Sequence, residues 1–155
     1  MSAPEQVADE LNRVLTAHSY GWPDGKRWSG RASVPQCLLS GLALAIGEGS
    51  FQYAEARFLD ETTHVVVLTA EHVHRAYAED DETLGTESWS RSSLSKTDLR
   101  RAPNVFVLGS ADHTAATVTL TFRTGENVVL GGDGQSQAAV RELLRLYPDL
   151  LSNLS

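Results

Sequence analysis

The hydrophobic period of this 155-residue chain changes twice, and each change restricts the fold. Up to about residue 46 the apolar residues recur at helical spacing or run together. From Ser50 they alternate with polar ones, and turn residues return every 8 to 12 positions. After about residue 135 the helical stripe comes back. A period of two sends successive side chains to opposite faces, so the middle of the chain is committed to strands, and their short connections imply antiparallel pairing.

The first segment, SAPEQVADELNRVLTA, carries Val7, Leu11, Val14 and Leu15 on one stripe, with Ser2 and Glu5 as a capping box and Pro4 as an early helical residue. The run GWPDGKRWSGR has no period and reads as loop. Ser33 with Gln36 forms a second capping box, and CLLSGLALAIGEG, apolar on every side, predicts a short buried helix over 35–46, with a buried strand as the alternative. Strands are predicted at 51–59, 63–69, 72–79, 86–93, 103–109, 115–123 and 126–131. The segment SKTDLRRAP between the fourth and fifth is taken as a turn region. The chain closes on a helix over 135–147, with Val140, Leu143, Leu144 and Tyr147 on its stripe, Asp133 or Ser136 as cap and Pro148 as stop.

Seven antiparallel strands followed by one amphipathic helix is the element order of the pleckstrin-homology (PH) superfold. Local wording agrees. Leu68-Thr69 after an apolar strand, Asp98-Leu99, and Leu120 to Phe122 within TVTLTFRTGENVVL resemble bacterial PH-like domains over about residues 50–147. One departure is the turn after Leu68-Thr69, which in those domains commonly holds Asp and Arg and here reads Ala70, Glu71, His72. The resemblance implies an α+β fold, a bent seven-stranded antiparallel PH-like sheet or barrel with a C-terminal capping helix. Residues 1–49 would then be a helical N-terminal extension packed on a PH-like domain of residues 50–155.

Composition excludes several classes. At 41% hydrophobic and 21% charged the chain is neither disordered nor a coiled coil. It has a single cysteine, Cys37, no signal-peptide pattern and no apolar run long enough to span a bilayer, so a cytoplasmic protein without a membrane partner is expected. A net charge of −7 disfavours nucleic acid and anionic lipid, and the acidic LDETTH between the first two strands lacks the cations a phosphoinositide head group needs.

His64, His72 and His74 surround one turn, and its length decides their geometry. A two-residue turn at Ala70-Glu71 pairs Val67 with His74, puts His72 and His74 on one face and sends His64 through the other. A three-residue turn puts all three on one face. No Cys, Asp or second His cluster stands at ligand spacing, so neither a metal nor another cofactor is expected. Ser93 to Lys96 matches Ser-x-x-Lys without companion motifs, GGDGQS lacks a phosphate-loop lysine, and Asp112-His113 reads as an ordinary turn.

Two basic segments stand out: Lys26, Arg27 and Arg31 beside Trp22 and Trp28, and Arg91, Lys96, Arg100 and Arg101. Together they hold seven of the thirteen basic residues, and tryptophan beside arginine is typical of contact surfaces. The sequence reading is a non-enzymatic interaction module whose partner is another protein or a second copy of the chain. Two alternatives stand beside it. One is a small hydrolase or transferase with His72 or His74 as base and Asp112 or Glu71 orienting it, in a site between extension and sheet. The other is weak nucleic-acid binding through the two basic segments.

Overall fold

The computed structural model describes residues 4–22, 33–59, 62–79, 83–103, 116–132 and 134–154. Two helices come first, α1 (Pro4–His18) and α2 (Ser33–Ile46). Strands β1 (Tyr53–Phe58), β2 (Thr63–Leu68), β3 (His72–Ala78) and β4 (Leu84–Ser90) form an antiparallel sheet in sequence order. A 3-10 turn, Arg91–Ser93, leads to a second antiparallel sheet of β5 (Leu94–Arg100), β6 (Thr117–Phe122) and β7 (Asn127–Gly131), and helix α3 (Gln137–Ser152) follows. The described residues are thus α+β, with seven strands and a C-terminal helix. Among the described residues none of its helices is long and apolar enough to cross a membrane.

The four-stranded sheet is buried on both sides, which explains the unbroken apolar run Val65–Leu68 in β2. Ala54, Ala56, Val65, Val67, Ala76 and Ala78 pack with Leu11, Leu15, Leu38 and Leu42 of α1 and α2. Alanines dominate this face because two helices must approach the sheet closely. Tyr53, Val66, Leu68 and Val73 face the other way, into a second core with Leu120, Phe122, Val128, Leu130, Leu143 and Leu150.

The N-terminal helix is stitched to the start of α3. Ser19 Oγ accepts from the Ala56 amide at 2.9 Å and donates to Gln135 Oε1 at 2.7 Å, while Gln135 Nε2 donates to the Ala56 carbonyl at 2.7 Å. Both outward backbone groups of Ala56 on edge strand β1 are thereby satisfied. Ser136 donates its amide to the His18 carbonyl, and its Oγ caps α3 by accepting from Ala139 N.

Several sequence expectations are corrected. The seven strands form two separate sheets, of four and three strands, and not a closed barrel. The fifth strand is Leu94–Arg100, in the segment taken as a turn; Pro103 lies outside any strand, and the rest of the expected 103–109 strand lies outside the described residues. The expected 86–93 strand stops at Ser90, where Ser90 Oγ accepts from Ser92 N and starts the 3-10 turn. Pro148 does not end α3. The helix runs on to Ser152 because Leu150 is fully buried in the second core. Residues 33–46 form a helix and not a strand, but it is buried on one side, with Cys37, Leu44 and Ala45 exposed. Ser2, the expected first cap, lies outside the described residues.

Candidate functional site

A groove of about 610 Å³ runs between α1 and α2. Positions 4, 5, 8, 9 and 12 of α1 and 35, 36, 39, 40, 43 and 44 of α2 line it, each set repeating at helical spacing. Ala8, Leu39 and Ala43 form an apolar floor. Glu5, Asp9, Asn12, Gln36 and Ser40 stand around it. Among these lining residues the titratable groups are the two exposed carboxylates, so the groove offers an apolar floor with negative charge along one wall and no nucleophile–base pair.

Trp22 belongs to the core that α1 and α2 share with the four-stranded sheet. It is 6% exposed, and its Nε1 donates to Asn12 Oδ1 at 3.0 Å, which fixes a groove-lining side chain. Lys26, Arg27, Trp28 and Arg31 lie outside the described residues. The second basic segment divides. Lys96, Arg100 and Arg101 are exposed, Arg100 Nε donates to Asp98 Oδ2 at 2.9 Å, and Arg101 takes a φ of 56° at the end of β5.

Arg91 is drawn inside, at 4% exposure. Its Nε donates to Asn153 Oδ1 at 2.9 Å, and its Nη1 donates to Gln52 Oε1 at 2.8 Å and to the Thr69 carbonyl at 2.7 Å. Its amide donates to the Glu71 carbonyl. Burial lowers the guanidinium pKa, and Asp149 opposes that shift. Arg91 therefore joins the β2–β3 turn, the residue ahead of β1 and the end of α3.

The β2–β3 turn has two residues: Thr69 N donates to the His72 carbonyl, and Val67 pairs with His74. His72 and His74 consequently share a face, stacked at 5.5 Å, and His64 points to the opposite side of the sheet. His74 Nδ1 lies 2.7 Å from Ser88 Oγ, and burial pushes its pKa down. Neither ring is bonded to Glu71, neither histidine lines the groove, and Asp112 lies outside the described residues, so the described residues do not assemble the base and orienter of a catalytic site. Among the described residues no three His, Cys, Asp or Glu side chains are grouped to hold a metal.

A polar cluster between the sheets went unsignalled by the sequence. Glu55 is 0% exposed; its Oε1 accepts from Tyr53 Oη at 2.8 Å and from Gly131 N at 2.7 Å, and its Oε2 faces Arg57 Nη2 at 3.3 Å. Arg57 Nη2 also donates to the Gly131 carbonyl at 2.5 Å, and its Nε is buried without a partner. Arg75 donates to Glu87 Oε2 and to the Asn127 carbonyl, and lies over the Trp89 ring. Burial raises the Glu55 pKa, with Arg57 the main opposing influence. These groups hold β7 against the four-stranded sheet. The groove residues were equally silent in the sequence, because alanines and leucines on two helices define a groove only once the helices are packed. No family model matches the chain, and no curated protein matches it.

Proposed function

We propose that the chain is a non-enzymatic, cytoplasmic binding module of PH-like architecture that holds a protein partner in the groove between α1 and α2. The groove carries the reading: it pairs an apolar floor with the carboxylates of Glu5 and Asp9 and contains no catalytic constellation. The PH-like part rests on the order of a four-stranded sheet, a three-stranded sheet and a closing helix.

The occupant that suits this site is a short amphipathic helix with lysine or arginine on its flank. The α1 wall, from Pro4 to Asn12, and the α2 wall, from Pro35 to Leu44, each run about 12 to 14 Å, the length of between two and three helical turns. Leu or Ala side chains of such a helix would cover Ala8, Leu39 and Ala43, and its cations would meet the acidic wall.

A fluorescent 14-residue leucine–lysine amphipathic peptide tests this by anisotropy. Saturable binding is expected. Asp9→Lys and Ser40→Lys, both at exposed groove positions, should weaken it at least about tenfold, and a leucine–glutamate peptide should not bind. Absence of saturable binding, or binding that ignores both substitutions, would overturn the proposal.

A further inference from the structure

Among the described residues the two sheets have four edges, and three of them carry devices that block strand addition. On β1 both outward groups of Ala56 are taken by Ser19 and Gln135. On β7 both groups of Gly131 are taken by Glu55 and Arg57, and the carbonyl of Asn127 by Arg75. On β5 the register breaks between Leu94 and Lys96, and Lys96 and Arg100 charge the exposed strand. A bulge, edge charges and capped backbone groups are the means by which natural sheets avoid adding strands.

The fourth edge, β4, has none of them. Its pairing with β3 is continuous from Leu84 to Ser90, without bulge, proline or lysine, and its one charged side chain, Glu87, is already paired with Arg75 at 2.8 Å. The ladder fixes which groups face out. Thr69 N bonds the His72 carbonyl and Glu79 N bonds the Thr83 carbonyl, so His72, His74 and Ala76 bond β2, while Val73, Arg75 and Tyr77 bond β4. The amides and carbonyls of Leu84, Thr86 and Ser88 are left pointing away from the sheet, beside the exposed side chains of Thr86, Ser88 and Ser90.

Helix α2 flanks this same edge. It contacts β3 and β4, and at Gly41 it comes so close to Thr86 that a side chain there would strike Thr86 Oγ1. Cys37 and Ala45, one turn to either side of Gly41, are exposed. The helix contains no charged residue over its 14 positions, a composition that suits burial on both sides.

We infer that a second copy of this chain pairs antiparallel with β4, joining two four-stranded sheets into one of eight strands with the two α2 helices side by side over the join. The spacing is what makes one copy the natural partner of another. A paired strand lies about 4.8 Å away, and a helix seated over the β3–β4 gap stands about half that distance inside β4. A two-fold axis on the edge then separates the α2 axes by about 10 Å, the distance at which helices pack, and Cys37, Gly41 and Ala45 are small enough to allow it.

A register centred on Ser88 suits the side chains. Placing Ser88 opposite its own copy sets Thr86 against Ser90 and Glu87 against Trp89, and so avoids opposing two Glu87 carboxylates. The groove between α1 and α2 lies on the other flank of α2, so the inference stands apart from the function proposed above.

Sedimentation of the full chain across about 1 to 100 µM is the test, with a dimer mass expected in the upper part of that range. Ser88→Pro removes an outward amide without breaking a bond of the β3–β4 ladder, and should give a monomer with native circular dichroism. Ala45→Glu, on an exposed helix position, should weaken dimerisation at least about tenfold even if the proline variant fails to fold. Asp9→Lys, in the groove, should leave the mass unchanged. A wild-type chain that stays monomeric throughout, or a dimer that survives Ala45→Glu undiminished, would overturn the inference.

Discussion

Glu55 shows at the scale of one residue what it takes to keep a carboxylate out of water. Its folded pKa is raised above the unfolded value, so the native state holds this proton more tightly than the unfolded chain does. Its contribution to stability is full below about pH 4.3 and is lost as the pH rises through the folded pKa, which means that above the folded pKa the ionised group costs stability. Arg57, Tyr53 and the Gly131 amide offset that cost. Arg57→Met should therefore cost about 3 kcal/mol at pH 7, because it leaves a buried charge uncompensated. The loss should shrink toward pH 4 as Glu55 takes up its proton, and Glu55→Leu combined with Arg57→Met should recover much of it. Urea midpoints of the three variants at both pH values check the sign as well as the size. Trp22 is the opposite case, a large apolar group whose indole N–H has found Asn12. Trp22→Ala should cost about 3 to 5 kcal/mol through the cavity it opens, measured in the same way.

Among the elements, α3 has the plainest energetics. Val140, Leu143 and Leu150 are fully buried, Tyr147 is half-buried against the second core, and Leu144 is half-buried. Leu143→Ala should cost about 2 to 5 kcal/mol and Leu144→Ala distinctly less, as chemical denaturation of the two would show. The stripe was legible in the sequence because it repeats at helical spacing, and Ser136 was legible as a cap because its hydroxyl precedes the stripe. Pro148 misleads for a physical reason. A proline removes one backbone bond, but the next turn brings Leu150 into the core and Asn153 to Arg91, and that packing outweighs local propensity. Strand β5 hides for a similar reason. It is an outer strand with a register break, so Lys96, Asp98 and Arg100 stand where β2 has its apolar run and β6 its alternation. The α1–α2 groove and the Glu55 cluster have no local signature, since each exists only where distant segments meet.

At the scale of the whole molecule, the four-stranded sheet separates two cores, and a histidine with a lowered pKa lies on each of its sides. His74 stacks on His72 on the side facing α1 and α2, while His64 lies on the side facing the second sheet, near Arg57, Arg75 and Glu87. Burial is the leading cause that lowers both pKa values; the charge of His72 adds to it for His74, and Arg75 and Arg57 add to it for His64 against the opposing pull of Glu87. A depressed histidine contributes stability that is present above the unfolded pKa of about 6.5 and is lost as pH falls through the folded value, because the unfolded chain then binds the proton more readily. The urea midpoint should accordingly fall as the pH is lowered from 7 through 6, with both cores losing support because each side of the shared sheet acquires a charge. Glu55 acts in the reverse sense as it becomes neutral at lower pH, so the decline should flatten there instead of steepening. His74→Asn should remove part of the pH dependence between 7 and 6. A midpoint that rises on acidification through this range would mean that the histidines gain partners in the fold and are not buried as neutral rings.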